Sequence, residues 1–384
     1  MLLYSNVIMD QRLFNILCTT ERRRMTGGSY IIRCQDFKGF AEHCTKNVRV
    51  HLYSHDQLIF KPNGPNNNTD GWKKDFNATV TVKIGLAPKP RFGKLFMDVV
   101  DRYTSFDGLD SQVEVIVQTK YHAQDQFPNR TYHVVEHWYN SFPEDMLSSS
   151  DIPKFELPKI QPVSNMKMAT VWTNMKQLCP TLSFANNSDV KFDCINERFG
   201  IAGWYQKYFN RSTASFEMQR LDNLLQDPRQ GPGRIYYELF WKYNLLLVPA
   251  KTALPEKLRY GNVQRAVSQM RSGVPVLLEI YGEVLEDFMD RYNYTCAYKN
   301  TTTATTTAAV AAAATQKHND EGDRSTSARK YWTLDEAVMA MKESPEIRRK
   351  CQKEGLAIAA DYSPASLVER ELRILGYDGD FDCP

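Results

Sequence analysis

Short apolar runs that each stop at polar residues recur through the first part of the chain. Leu13–Thr19, Val48–Tyr53, Leu95–Val100, Val113–Val117 and Tyr132–Val135 have the length and density of strands buried on both faces. A loop carrying a glycine pair (Glu21–Tyr30) and a stretch with apolar positions at helical spacing (Ile31–Thr45) separate the first two. Strand, glycine loop, helix, strand is a βαβ unit, which predicts a parallel sheet. Asn77–Ile84 alternates and reads as an outer strand. The polar stops at Asp101, Gln118-Thr119 and Glu136-His137 are those of parallel strands whose carboxyl ends line a cleft.

A second series follows a stretch with three prolines, Ser148–Val163, which reads as a linker. Strands are predicted at Met168–Thr173, Tyr243–Val248 and Val274–Leu278, and helices at Phe216–Gln226, Leu258–Met270 and Val284–Tyr292. Three helices close the chain. Thr333 and Glu336 form a capping box for the first, Ser344 caps the second with Pro345 at its first position, and Pro364–Leu375 is the third. The expected organisation is a first domain over 1–150, a linker over 151–165 and a second domain over 166–384. A low-complexity insertion at 299–329, rich in Thr and Ala, interrupts the second domain and is expected to be disordered.

Composition narrows the class. A chain of 384 residues fits two domains, and 42% hydrophobic with 24% charged residues fits a folded protein. The net charge of +3 offers no footprint for nucleic acid. No apolar run approaches the roughly 20 residues of a membrane span. Seven Asn-x-Ser/Thr sequons, at Asn67, Asn77, Asn129, Asn186, Asn210, Asn293 and Asn300, exceed the roughly two or three expected by chance. Eight cysteines are compatible with disulfides, and Cys179 with Cys194 is the expected pair. Together these point to the secretory lumen, Golgi or ER, with the cytoplasm as the alternative if the sequons are idle. Because Met1–Arg12 does not read as an entry signal, a membrane anchor upstream of this chain is expected.

The most informative segment is Tyr243–Glu279. A strand is followed by Pro249, a loop with Lys251 and Lys257, a helix around Asn262–Met270, the turn Ser272-Gly273-Val274-Pro275-Val276 and a second strand ending at Glu279. This order resembles the nucleotide-sugar-binding domain of GT-B glycosyltransferases of the family 4-like kind, and the resemblance extends over Pro228–Leu375. It implies an α/β fold of two Rossmann-like domains facing each other across a cleft. The second domain would bind a nucleotide-sugar donor, and the first a glycan, protein or lipid acceptor. It further implies transfer without a metal ion and no cofactor besides the donor.

The chemistry of the residues agrees with that implication. A nucleotide-sugar releases a diphosphate that gains negative charge as the glycosidic bond breaks, and a helix amino end with Lys or Arg stabilises that charge. Lys251, Lys257, Arg259 and Arg265 cluster at such a helix start, with a solvated basic face as the plainer alternative. Asn262, Pro275 and Val276 complete the donor set on the resemblance. Gly27-Gly28 follows the first strand and lets backbone amides approach a phosphate or the acceptor, or forms a simple turn.

A base for the acceptor hydroxyl is sought among Asp101, His122, Glu136 and His137, with His137 preferred for its neighbours Trp138, Tyr139 and Asn140. Family members that retain stereochemistry carry an acid before the turn. Gln264–Arg271 has none, which leaves the stereochemistry open and turns attention to Glu279. Phosphate-loop, dinucleotide, serine-hydrolase and zinc-protease motifs are absent from the sequence, and Asp378-Gly379-Asp380 reads as an acidic tail. A non-catalytic lumenal carbohydrate-binding or scaffold protein on the same fold is the second class to test.

Overall fold

The computed structural model describes residues 13–20, 31–54, 76–82, 92–99, 109–137, 157–172, 189–196, 240–249, 263–299 and 331–383. These divide into two compact units. Residues up to Val117, with Asn129–Val135 and Pro364–Pro384, form the first; Gln118–Pro128 and Glu136–Ser363 form the second.

The first unit is built on six parallel strands: β1 (Phe14–Thr20), β2 (Val48–Ser54), β3 (Ala78–Val82), β4 (Lys94–Asp98), β5 (Glu114–Val117) and β6 (Tyr132–Val134). Their order is β2-β1-β3-β4-β5-β6, so Ile16 lies between Val50 and Ala78. β3 is therefore an interior strand, correcting the expectation of an outer one. Its threonines explain the misleading alternation: Thr79 and Thr81 are both buried, and Thr79 donates to the Phe92 carbonyl at 2.6 Å. A hydroxyl that finds a backbone acceptor can occupy an interior strand without a large burial cost.

A π-helical turn at Ile31–Asp36 runs into α1 (Phe37–His43), which buries Phe37, Phe40 and Ala41. The Cys18–Cys34 disulfide fastens this turn to β1. The last helix, α7 (Pro364–Leu375), packs on α1, and a second disulfide, Cys44–Cys383, secures the residues beyond it.

The second unit holds five parallel strands: β7 (Met166–Trp172), β8 (Val190–Asn196), β9 (Leu245–Val248), β10 (Val276–Glu279) and β11 (Ala297–Tyr298), in the order β8-β7-β9-β10-β11. β9 and β10 are buried at every position, the pattern of strands covered on both faces. The unit also contains α2 (Lys120–Gln126), α3 (Gln264–Met270), α4 (Gly282–Tyr292), α5 (Leu334–Glu343) and α6 (Pro345–Asp361). The α5 capping box and the Ser344 cap with Pro345 are both formed, each cap contributing about 1 kcal/mol. The Cys296–Cys351 disulfide joins the residue before β11 to α6. Cys179 lies outside the described residues, as do Phe216–Gln226 and the insertion beyond Lys299. Among the described residues no helix is long and apolar enough to cross a membrane.

Candidate functional site

Each sheet has one place where the chain reverses its direction of winding. In the first it lies between β1 and β3, in the second between β7 and β9. In open parallel sheets the ligand crevice forms outside the carboxyl ends of the strands at such a switch point. Two segments singled out from sequence leave the strands that border these points. The loop with Gly27-Gly28 follows β1, and the segment with Lys251, Lys257 and Asn262 follows β9. Those five residues themselves lie outside the described residues.

Further candidates come together at the carboxyl end of β10. Glu279, the last residue of β10, is buried, and the Tyr298 hydroxyl donates to its Oε2 at 3.2 Å. Burial raises the Tyr298 phenol above its ordinary value, and the nearby Glu279 charge raises it further. Tyr281 is raised in the same way, first by burial; Arg265 opposes the shift and Glu279 adds to it. Arg265, in the first turn of α3, and Glu279 thus act on the same phenol with opposite effect. Next to them α4 begins at Gly282, whose φ of +69° suits glycine, and Tyr281 at its N-cap provides no side-chain cap. The helix therefore starts with amide donors that its own cap leaves unused, at the positive end of its dipole. A carboxylate held in place by a phenol, three residues before a helix amino end, is a set that can accept from hydroxyls and donate to an anion. Tyr281 and Tyr298 were not among the sequence candidates. Their signal was proximity: one follows Glu279 by two residues, and the other ends the next strand.

Pro275 and Val276 stand at the opposite, amino end of β10. The Pro275 carbonyl accepts from the Leu246 amide at 2.9 Å and the Val276 carbonyl from the Tyr294 hydroxyl at 2.5 Å. The turn before them is tightly held. Trp241 donates to the Ser272 carbonyl at 2.9 Å and Gln352 to the Gly273 carbonyl at 2.6 Å. These contacts give the turn a structural role at the far edge of the sheet from Glu279.

His137 lies just past β6 and is buried. Glu136, beside it, pairs with Arg291 on α4 at 2.9 Å, and Lys120 on α2 pairs with Asp287 on the same helix at 2.7 Å. His122 is also buried, and burial pushes its imidazole down to about 4, so it is neutral at ordinary pH. Asp101 lies outside the described residues. Among the described residues no group of three or more His, Cys, Asp or Glu is arranged to hold a metal ion.

The first unit carries a buried ionic trio. Arg33, just after the glycine loop, places Nε 3.0 Å from Asp98 at the end of β4 and Nη1 3.5 Å from Glu371 on α7. Its Nη2 donates to the Val135 carbonyl at 2.5 Å. Burial pushes the Glu371 carboxyl up to about 8; Arg33 opposes the shift and the Asp98 charge adds to it.

No protein-family model and no curated relative matches the chain. Among solved structures it is similar to WaaG, a glycosyltransferase involved in lipopolysaccharide biosynthesis, at 11% identity and a TM-score of 0.44, covering 95% of this chain and 100% of that one. It is similar to a trehalose-6-phosphate synthase analysed with bisubstrate glycomimetics at 10% identity and a TM-score of 0.46, covering 94% and 98% of the two chains. The E. coli trehalose-6-phosphate protein bound with UDP-2-fluoro glucose gives 10% identity and a TM-score of 0.46, covering 95% of this chain and 100% of that one. Likenesses this distant carry no weight for function. The α/β fold itself stands on the two all-parallel sheets described above.

Proposed function

We propose that the chain is a glycosyltransferase of the GT-B type. It would move a sugar from a nucleotide-sugar donor to a glycan, protein or lipid acceptor, without a metal ion or further cofactor. The observation that carries this reading is the coincidence of topology and chemistry in the second unit. The basic segment with Lys251, Lys257 and Asn262 leaves β9 at the switch point, while Glu279 and the start of α4 follow one another at the carboxyl end of the adjacent β10, and Arg265 and Glu279 both act on Tyr281, which lies between Glu279 and α4 in the chain. In this reading Lys257, Arg265 and the α4 amides take the charge that develops on the departing diphosphate. Glu279, oriented by Tyr298, accepts from hydroxyls of the donor. His137 is assigned to the acceptor's proton, and Gly27-Gly28 to close backbone approach. The sequons and the disulfides found among the described residues favour the secretory lumen as its compartment.

The test is donor-saturation kinetics after a thermal-shift screen of nucleotide-sugars has identified the donor. Arg265→Ala and Lys257→Ala are each expected to lower kcat/KM for the donor by roughly a hundredfold, the loss typical of one charge-stabilising group. Unchanged kinetics in both variants would remove the assigned site. A second reading, a non-catalytic lumenal carbohydrate-binding or scaffold protein on the same fold, is favoured by the lack of any acid on α3. It predicts donor binding in the same screen with neither transfer nor donor hydrolysis.

A further inference from the structure

We propose that Asn129 carries an N-linked glycan. Of the seven sequons, those at Asn77, Asn129 and Asn293 fall on described residues. They differ in what the fold does with them. At Asn77 the side-chain oxygen accepts from the Asn15 amide at 2.8 Å, its carbonyl accepts from Lys94 at 2.9 Å, and the sequon hydroxyl, on Thr79, is buried inside β3. At Asn293 the backbone is left-handed, with φ of +48°, and both the amide and the hydroxyl of Thr295 are held by Glu354 at 2.9 Å.

The sequon Asn129-Arg130-Thr131 sits on the turn between α2 and β6, and Asn129 and Thr131 are both exposed. The middle residue is tied down through its side chain, and Thr131 is held through its backbone, whose carbonyl accepts from the Val115 amide at 3.0 Å. The Arg130 guanidinium donates to the Leu109 carbonyl and, at 2.7 Å, to that of Asp110. The turn is therefore fixed by its central side chain, while its first and third residues stay at the surface. An exposed turn is where a bulky, hydrated glycan leaves the folding energy untouched.

The disulfides supply the second observation. Cys18–Cys34, Cys44–Cys383 and Cys296–Cys351 are the mark of an oxidising compartment, where glycan transfer takes place. The donor is a lipid-linked oligosaccharide diphosphate. The Asn129 amide nitrogen forms a bond to the anomeric carbon, the bond from that carbon to the diphosphate breaks, and the amide loses one proton; no redox step is involved. The proposal stands independently of the glycosyltransferase reading, because it concerns what is done to this chain.

The experiment isolates the full chain from the cells that make it and releases N-glycans with peptide N-glycosidase in heavy-oxygen water. The peptide containing position 129 is expected to return as aspartate carrying the heavy oxygen. Asn129→Gln and Thr131→Ala are each expected to lose the mass of one glycan and to keep the melting temperature of the deglycosylated parent. Recovery of position 129 as unlabelled asparagine, or no loss of mass in either variant, would overturn the proposal.

Discussion

Arg33, Asp98 and Glu371 place three formal charges in the interior of the first unit, each with side-chain exposure of 0%. A net charge there is expensive, and the system relieves it by keeping a proton on Glu371, whose carboxyl is pushed up to about 8. The consequence for stability is directional. Glu371 binds its proton more tightly in the fold than in the open chain, where a Glu titrates near 4.3. The contribution is therefore complete below that value and is lost as the pH rises through about 8. Glu371→Gln keeps the volume and the neutral state. It is expected to unfold within about 1 kcal/mol of the parent at pH 4 and to flatten the decline in stability between about pH 4 and pH 8. Arg33→Met removes the cation and leaves the Asp98 carboxylate buried, which costs about 3–5 kcal/mol. Urea midpoints across that pH range measure both. A Glu371→Gln chain with the parent's pH slope would show that the titrating group lies elsewhere.

Elements depend on single positions where the backbone has no alternative. Gly273 ends the turn from α3 into β10 with φ of +74°, and a Cβ there would sit 2.7 Å from Leu157 Cδ2. Left-handed strain and a side-chain clash act together, so Gly273→Ala is expected to cost about 1–3 kcal/mol, read as a lowered urea midpoint with unchanged slope. An unchanged midpoint would mean that Leu157 yields freely and that the turn carries no strain. This is the turn that the sequence flagged as Ser272-Gly273-Val274-Pro275-Val276, and it was legible because glycine and proline report backbone geometry directly. The strands were legible for a similar reason: buried parallel strands are uninterrupted apolar runs, as β9 and β10 are. β3 misled because two buried threonines imitate a polar face. The meeting of Glu279 and Tyr298 depends on β10 and β11 lying side by side, and that pairing is set by packing rather than by local pattern. The buried trio was less visible still, since Arg33, Asp98 and Glu371 come from three distant elements and none has an unusual neighbour in sequence.

The chain as a whole closes on itself. Residues Pro364–Pro384 belong with the first unit although the long stretch before them belongs to the second. Nothing local in α7 announces this return; it is enforced by contacts made after the chain arrives. Tyr377 stacks edge-on against Phe14 with ring centroids 5.6 Å apart, and its hydroxyl donates to Asn47 at 2.7 Å. The Asp382 amide donates to the Cys44 carbonyl at 2.8 Å, and the Cys44–Cys383 disulfide spans 339 residues of sequence. Joining positions so far apart removes more freedom from the unfolded chain than a short link does, although the dependence is only logarithmic. Part of that freedom is already limited by the Cys296–Cys351 bond, which lies inside the same loop and shortens it. Cys383→Ser, paired with Cys44→Ser so that no lone thiol remains, is therefore expected to destabilise the first unit by about 2–5 kcal/mol, the range for a native disulfide. Guanidinium unfolding followed through hydrogen exchange separates the units. Exchange should quicken on β1 and β2 and stay at the parent rate on β9 and β10. If β9 and β10 quicken equally, the bond stabilises the whole molecule as one cooperative body, and the division into two separately folding units is wrong.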